Sequence, residues 1–285
     1  MASDLVWLNG EIIPMADARI GVEDRGYQFA DGVYEVVRLY NGKPFTMTEH
    51  LDRLERSAAG IKLALPITRA ALEDGLAKLV AKSDVRDGMV YLQASRGVAP
   101  RNHVFPEKPS GTVVAYCRAL PPVPAPGEGF GAKLLAVPDE RWKRCWVKAI
   151  ALLPNVLAKN EAAGRGYDEA AFVEDGLVSE CSTANLFAVA NGTLVTHPVG
   201  AKVLPGITRA VLFDCAKELG IKVDERPLRE DEMTKVQELF ITSTTRELSW
   251  VSHWNDTPVG QGTCGPVTLK LHRAYRDRVR AQTGA

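Results

Sequence analysis

The sequence predicts a mixed α/β protein of the α+β type, divided into two domains, and three observations carry that expectation. The first 120 residues alternate strand-like apolar runs with helical stretches. Leu120 to Gly129 then holds four prolines and two glycines, a composition that resists helix and sheet alike. The second half contains tight-turn signals at Asp175-Gly176 and Asn191-Gly192 between apolar runs, which predicts a mainly antiparallel sheet with helices around it. The expected division is a small α/β domain at 1–120, an interdomain linker at 121–130 and a second domain at 131–285. A chain of 285 residues, 46% of them hydrophobic, can bury one large core or two modest ones.

In the first half, Val6 to Leu8 and Glu11 to Ile13 flank Asn9-Gly10 and should form a hairpin. Asp24 to Asp31 is polar and reads as a loop. Val33 to Tyr40 reads as a strand that Asn41-Gly42 turns back into Lys43 to Thr46, and alternation puts Tyr34 on one face with Val36. Thr46-Met47-Thr48-Glu49 fits a capping box, and Leu51, Leu54 and Ala58 follow at helical spacing until Gly60. Thr68 starts a second helix with Leu72, Leu76, Leu79 and Val80 on one stripe. Met89 to Ser95 and Gly111 to Arg118 read as strands. Between them Gly97 to Ser110 is too long for a simple hairpin and rich in glycine, proline and charge, a candidate functional loop.

The second half reads as a strand, a further strand carrying Lys148, a helix from Asn155 to Ala163, and a meander from Glu169 to Thr196. A helix from Ile207 to Leu219, a strand near Val223, a short acidic helix near Glu230, a strand from Glu238 to Thr242 and a basic helix after Gly265-Pro266 complete it.

Thirty-five basic and thirty-five acidic residues cancel, so bulk electrostatics draws the chain to neither nucleic acid nor anionic membrane. A small molecule is the expected partner. The five cysteines, at 117, 145, 181, 215 and 264, are odd in number and lack Cys-x-x-Cys spacing, which argues against a disulfide framework and a zinc site. With no apolar run of membrane-spanning length, a cytoplasmic protein is expected.

Chemistry concentrates at four places. Lys148 stands among Trp146, Val147, Ala149, Ile150, Leu152 and Leu153, where an ammonium is costly, so its amine is expected to become a usable nucleophile. A Schiff-base lysine is one reading; a strand lysine whose head reaches water is the other. Glu180 ends a strand in Ser179-Glu180-Cys181-Ser182-Thr183. Leu204-Pro205-Gly206-Ile207-Thr208 places a helix N-terminus behind a glycine, an anion site. Thr242-Ser243-Thr244-Thr245 clusters hydroxyls, which could equally cap a turn. Together they describe a pocket for an aldehyde cofactor bearing a phosphate and a ring nitrogen, as pyridoxal phosphate does.

The order of these stretches resembles the fold-type IV pyridoxal phosphate enzymes. Within them, Asp24 to Val37 and Arg96 to Pro106 are most similar to the D-amino acid aminotransferases, and the match runs from about Trp7 to Arg278. That resemblance implies pyridoxal 5'-phosphate held by Lys148, with Glu180 at the pyridine nitrogen. It assigns cofactor contacts to Arg53, Leu204, Gly206, Ile207, Thr208, Ser243 and Thr244. Arg53 alone would read as a solvated helix residue; only the resemblance makes it a phosphate ligand. Tyr34, Arg101 and His103 match positions that grip the substrate α-carboxylate, and the loop bearing the last two comes from the neighbouring subunit, implying a homodimer. The expected reaction is transamination between a D-amino acid such as D-alanine and a 2-oxo acid such as 2-oxoglutarate. Rival readings are a branched-chain L-amino acid aminotransferase, an aminodeoxychorismate lyase, and a binding module without turnover. Asn102, Cys181 and Pro205 depart from the closest pattern without removing a reactive group.

Overall fold

In the computed structural model, which describes residues 4–285, Asn9 and Gly10 take left-handed backbone and turn β1 (Leu5–Leu8) onto β2 (Glu11–Pro14). β3 (Gly32–Tyr40), β4 (Lys43–Pro44), β5 (Gly88–Val98) and β6 (Ser110–Ala119) complete an antiparallel sheet ordered β2-β1-β6-β5-β3-β4. Helices α2 (Met47–Gly60) and α3 (Arg69–Lys82) supply Leu51, Leu54, Leu72, Leu76 and Leu79 to its core, where they meet Trp7, Val33, Val37, Val90 and Leu92. Thr68 caps α3 by accepting from Ala71 N–H.

Asp24 to Asp31 is not a loop: Asp24 accepts from Gly26 N–H and starts α1 (Arg25–Phe29), a helix too short to show a period in sequence. The capping box does not form, because Thr46 takes a left-handed conformation (φ 55°) and its hydroxyl donates to Phe45 O instead of reaching the first turn. Lys148 is not on a strand. Its segment turns at Cys145-Trp146 and touches the edge of β3 through the single bridge Val33 to Ala149, with Tyr34 N–H donating to Lys148 O and Ile150 N–H to Gly32 O. Val147 and Ala149 enter the core while Trp146 is exposed, so the apolar run is split between core and surface.

The chain forms two compact units. The first extends to Pro122 and includes Val147–Ala151 and Ala281–Ala285; the second comprises Val123–Trp146 and Leu152–Arg280. Residue 148 thus packs with the first unit, although its position in the chain suggested the second.

The second unit carries β7 (Ala132–Pro138), α4 (Leu153–Gly164), β8 (Glu169–Glu174), β9 (Leu177–Cys181), β10 (Asn185–Ala190) and β11 (Thr193–Thr196). After them come α5 (Ile207–Glu218), β12 (Val223–Glu225), β13 (Leu228–Arg229), a 3-10 turn at Glu230–Glu232, β14 (Glu238–Ser243), β15 (Glu247–Trp254), β16 (Thr257–Pro258) and α6 (Pro266–Thr283). The sheet runs β12-β11-β10-β14-β15-β7-β8-β9-β13, with β16 on β15. The meander expected over Glu169 to Thr196 is therefore two hairpins held apart by β14, β15 and β7. Pairing is mainly antiparallel; β11 with β12, β15 with β7 and β7 with β8 are parallel.

Candidate active site

Lys148, Tyr34, Arg53, Arg101 and His103 belong to the first unit; Glu180, Leu204, Gly206, Ile207, Thr208, Ser243 and Thr244 belong to the second. Each group is organised by elements of its own unit.

In the first unit the strand period sends Val33, Glu35 and Val37 inward and leaves Tyr34 and Val36 half-buried on the other face. Lys148 Nζ lies 4.2 Å from the Tyr34 ring centroid, and Tyr34 stacks on Tyr91, which stacks on Tyr116. Burial among these rings raises the Tyr91 phenol above its ordinary value and keeps it neutral. Helix α2 presents a buried polar row at i, i+3 and i+7: His50, Arg53 and Ser57. Ser57 Oγ accepts from Lys148 N–H at 3.1 Å. Arg53 grips the wholly buried Glu35 with Nε and Nη2 at 2.7 and 2.8 Å, and His50 Nδ1 sits 2.7 Å from the same carboxylate. Burial works against the Glu35 charge, but Arg53 outweighs it and holds the carboxyl at about 2. Burial likewise pushes His50 below its usual range, against the pull of Glu35.

Arg101 and His103 lie exposed on the loop between β5 and β6, both against Phe29 of α1: the Arg101 guanidinium is 4.8 Å from that ring and the His103 ring 5.4 Å. The loop is docked from below. Phe105 covers the Arg96 guanidinium at 3.7 Å, Arg25 donates to Asn102 O, and Asp31 ties Arg25 and Arg96 together. The ring contacts of Arg101 and His103 are thus with Phe29, and those of Lys148 are with Tyr34.

In the second unit Glu180 is buried and both carboxylate oxygens are engaged. Arg141 Nη1 donates to Oε1 at 2.6 Å; Asn185 Nδ2 and Leu204 N–H donate to Oε2 at 2.9 and 3.1 Å. Asn185 also donates to Leu204 O, so one side chain fixes Glu180 to the approach of α5. A Cβ at Gly206 would fall 2.0 Å from Asn185 Oδ1, so any side chain there must displace the Asn185 amide. Gly206 is the N-cap of α5, and no side chain caps the N–H groups there; Ile207 and Thr208 follow, both buried. Asn185 pairs in register with Thr242, which brings the end of β14, with Ser243 and Thr244, beside these groups. Thr242 Oγ1 is buried without a hydrogen-bond partner.

Sequence reasoning gave no role to Asp139, Arg141, Asn185, Glu35 or His50. Glu35 and His50 carried a readable signal, an acid and an imidazole in otherwise inward-facing positions. Arg141 and Asp139 stand in a charged stretch that gives none. Arg141 Nε and Nη2 hold Asp139 at 2.9 and 2.8 Å, and Nη2 also donates to Ser179 Oγ and Lys202 O. Burial opposes the charge on Asp139, yet Arg141 holds it below the ordinary carboxylate range.

The amino-transferase class IV family model matches residues 32–254. The chain is 42% identical over 284 residues to a D-alanine aminotransferase of Listeria monocytogenes serotype 1/2a (strain 10403S), covering 98% of this chain and 97% of that one. It is 37% identical over 278 residues to a D-alanine aminotransferase of Bacillus licheniformis, covering 98% of each. Among solved structures it is similar to the branched-chain amino acid aminotransferase of Thermobaculum terrenum in its PLP-bound holo form, at TM-score 0.85 and 26% identity over 99% of this chain and 96% of that one. The Escherichia coli branched-chain enzyme gives TM-score 0.87 at 27% identity, over 99% of this chain and 95% of that one.

Proposed function

This chain belongs to the class IV aminotransferases, and from that premise we propose that it moves the amino group of a D-amino acid, such as D-alanine, to a 2-oxo acid, such as 2-oxoglutarate, by a ping-pong mechanism on pyridoxal 5'-phosphate. The observation that carries the choice of D-amino acid is the near-full-length identity of 42% and 37% to D-alanine aminotransferases, against 26% and 27% to the branched-chain structures.

The residues fit such a cofactor. Uncapped N–H groups at the start of α5 suit a phosphate, and the unpartnered Thr242 hydroxyl lies at the end of the same strand as Ser243. When bound, the cofactor supplies an aldehyde that links to amines and a ring that takes up the electrons freed at the substrate α-carbon. Lys148 anchors it and, once displaced, takes and returns the α-proton. The Tyr34 ring at 4.2 Å steadies the ammonium that Lys148 becomes while it holds that proton. Glu180 keeps a proton on the pyridine nitrogen. The N–H groups of Ile207 and Thr208, the hydroxyls of Thr208 and Thr244, and Arg53 hold the phosphate, with Leu204, Gly206 and Ser243 as further cofactor contacts. Tyr34, Arg101 and His103 hold the substrate α-carboxylate, the arginine through its planar fork.

The active unit in this reading is a homodimer whose Arg101 loop serves the neighbouring subunit. Supporting it, Arg101 and His103 are exposed, and α4 carries an exposed apolar row at Leu153, Val156 and Leu157. No helix among the described residues is long and apolar enough to cross a membrane, and five free thiols suit the reducing cytoplasm.

The test is the ratio of D to L turnover efficiency, read first as pyruvate formed from D-alanine and 2-oxoglutarate. Arg101→Ala should raise KM for D-alanine by about tenfold to a thousandfold, for a lost charge-assisted contact. His103→Ala should do less. A wild type that prefers L-leucine would replace this reading with the branched-chain one.

A further inference from the structure

Glu180 faces a difficulty that the structure itself raises. A carboxylate assigned to hold a proton on a ring nitrogen must present negative charge to it, yet its Oε1 already takes a charged hydrogen bond from Arg141 at 2.6 Å. Left alone, that guanidinium would cancel the charge that Glu180 offers. It is not left alone: while Nη1 serves Glu180, Asp139 holds Nε and Nη2 at 2.9 and 2.8 Å.

We propose that Asp139, Arg141 and Glu180 act as one charged unit of net −1, in which Asp139 offsets Arg141 so that Glu180 can keep the cofactor nitrogen protonated. This rests on the reading that Glu180 meets that nitrogen. Asp139 and Arg141 are positioning residues; neither is assigned a contact with substrate. Arg141 fixes the carboxylate in direction, because its fork is itself immobilised. Its side chain is 4% exposed, stacks 4.1 Å over Phe172 and also donates to Ser179 Oγ and Lys202 O. Asn185 and Leu204 N–H hold the other oxygen and bring no charge.

Four groups near the unit leave its sum unchanged. Burial pushes the Cys145 thiol up to about 11, so it stays neutral. Burial lowers His197, which therefore also stays neutral. Arg209, which feels Glu180, is paired with Glu225, and Lys202 with Glu174.

The sign of each charge makes the proposal testable without reading turnover. The holoenzyme is reconstituted with cofactor labelled with nitrogen-15 in the ring, and the pH at which that nitrogen loses its proton is followed by NMR. Glu180→Gln should lower it furthest. Asp139→Asn, which takes the sum to zero, should lower it by about one unit or more. Combining Asp139→Asn with Arg141→Met restores a sum of −1, so the nitrogen should return toward the wild-type value. A purely structural role predicts a double variant at least as low as the single one. Should Asp139→Asn give no folded holoenzyme, Asp139→Ser carries the same charge change and the same expectation. If Glu180→Gln leaves the nitrogen unmoved, the assignment of Glu180 fails. If Glu180→Gln moves it while Asp139→Asn does not, or the double variant is no higher than the single, the charged unit is overturned and the Glu180 assignment stands.

Discussion

Glu35 sits inside an apolar strand with no exposure, and Arg53 and His50 are its partners. Its folded pKa of about 2 lies below its ordinary 4.5. The stability it contributes is therefore fully present above about pH 4.5 and lost as pH falls through about 2. The depression corresponds to about 3 kcal/mol. Glu35→Gln should remove that acid-range dependence and, by leaving Arg53 buried beside an amide, cost about 3 kcal/mol or more at neutral pH. Urea unfolding at several pH values checks both; a variant as stable as wild type at neutral pH would refute it. At this scale the sequence was uneven. Lys148 and Glu180 stood out because an amine in an apolar run and a carboxylate among small hydroxyls are locally odd. Arg141 gave no signal: Asp139 is two residues away, but its partners at 179, 180 and 202 reach it only through the sheet and the chain entering α5.

Elements were legible where local chemistry decides them. The Asn-Gly and Asp-Gly turns at 9, 41, 175 and 191 all took left-handed backbone, and Thr68 capped its helix. Thr46 failed as a cap because the return from β4 sets its backbone, which a four-residue motif does not record. β15 carries no clean strand signal, because polar residues occupy both faces where Leu248, Trp250 and Ser252 alternate with Ser249, Val251 and His253. The start of α5 gives the clearest test at this scale. Gly206→Ala would drive a Cβ to 2.0 Å from Asn185 Oδ1 and displace the amide that holds Glu180 and Leu204. Losing those bonds at about 1–3 kcal/mol should weaken cofactor binding by about tenfold to a hundredfold. Fluorescence titration of the apoprotein measures it, and an unchanged Kd would show that the glycine is dispensable.

For the whole molecule, the two-sheet architecture followed from composition and turn signals, but strand order did not. Each hairpin is set by neighbours in sequence, whereas the placement of β14, β15 and β7 between β10 and β8 depends on pairings across more than a hundred residues. The proposed homodimer belongs to this scale as well. Sedimentation should give a dimer as the active species, and mixing inactive Lys148→Ala chains with Arg101→Ala chains impaired in KM should restore turnover at low D-alanine through one intact site per mixed dimer. An active monomer at assay concentration would sink it.

The passage of Val147–Ala151 into the first unit, between two stretches of the second, bears on how such a gene could be recombined. A chimera joined in the proline-rich tract would take Tyr34, Glu35 and Ser57 from one parent and Lys148, which lies against Tyr34 and Ser57, from the other. The crossover that looks cleanest in sequence would split the lysine from its neighbours. A graft of the first unit would have to carry Val147–Ala151 from the far side of the join.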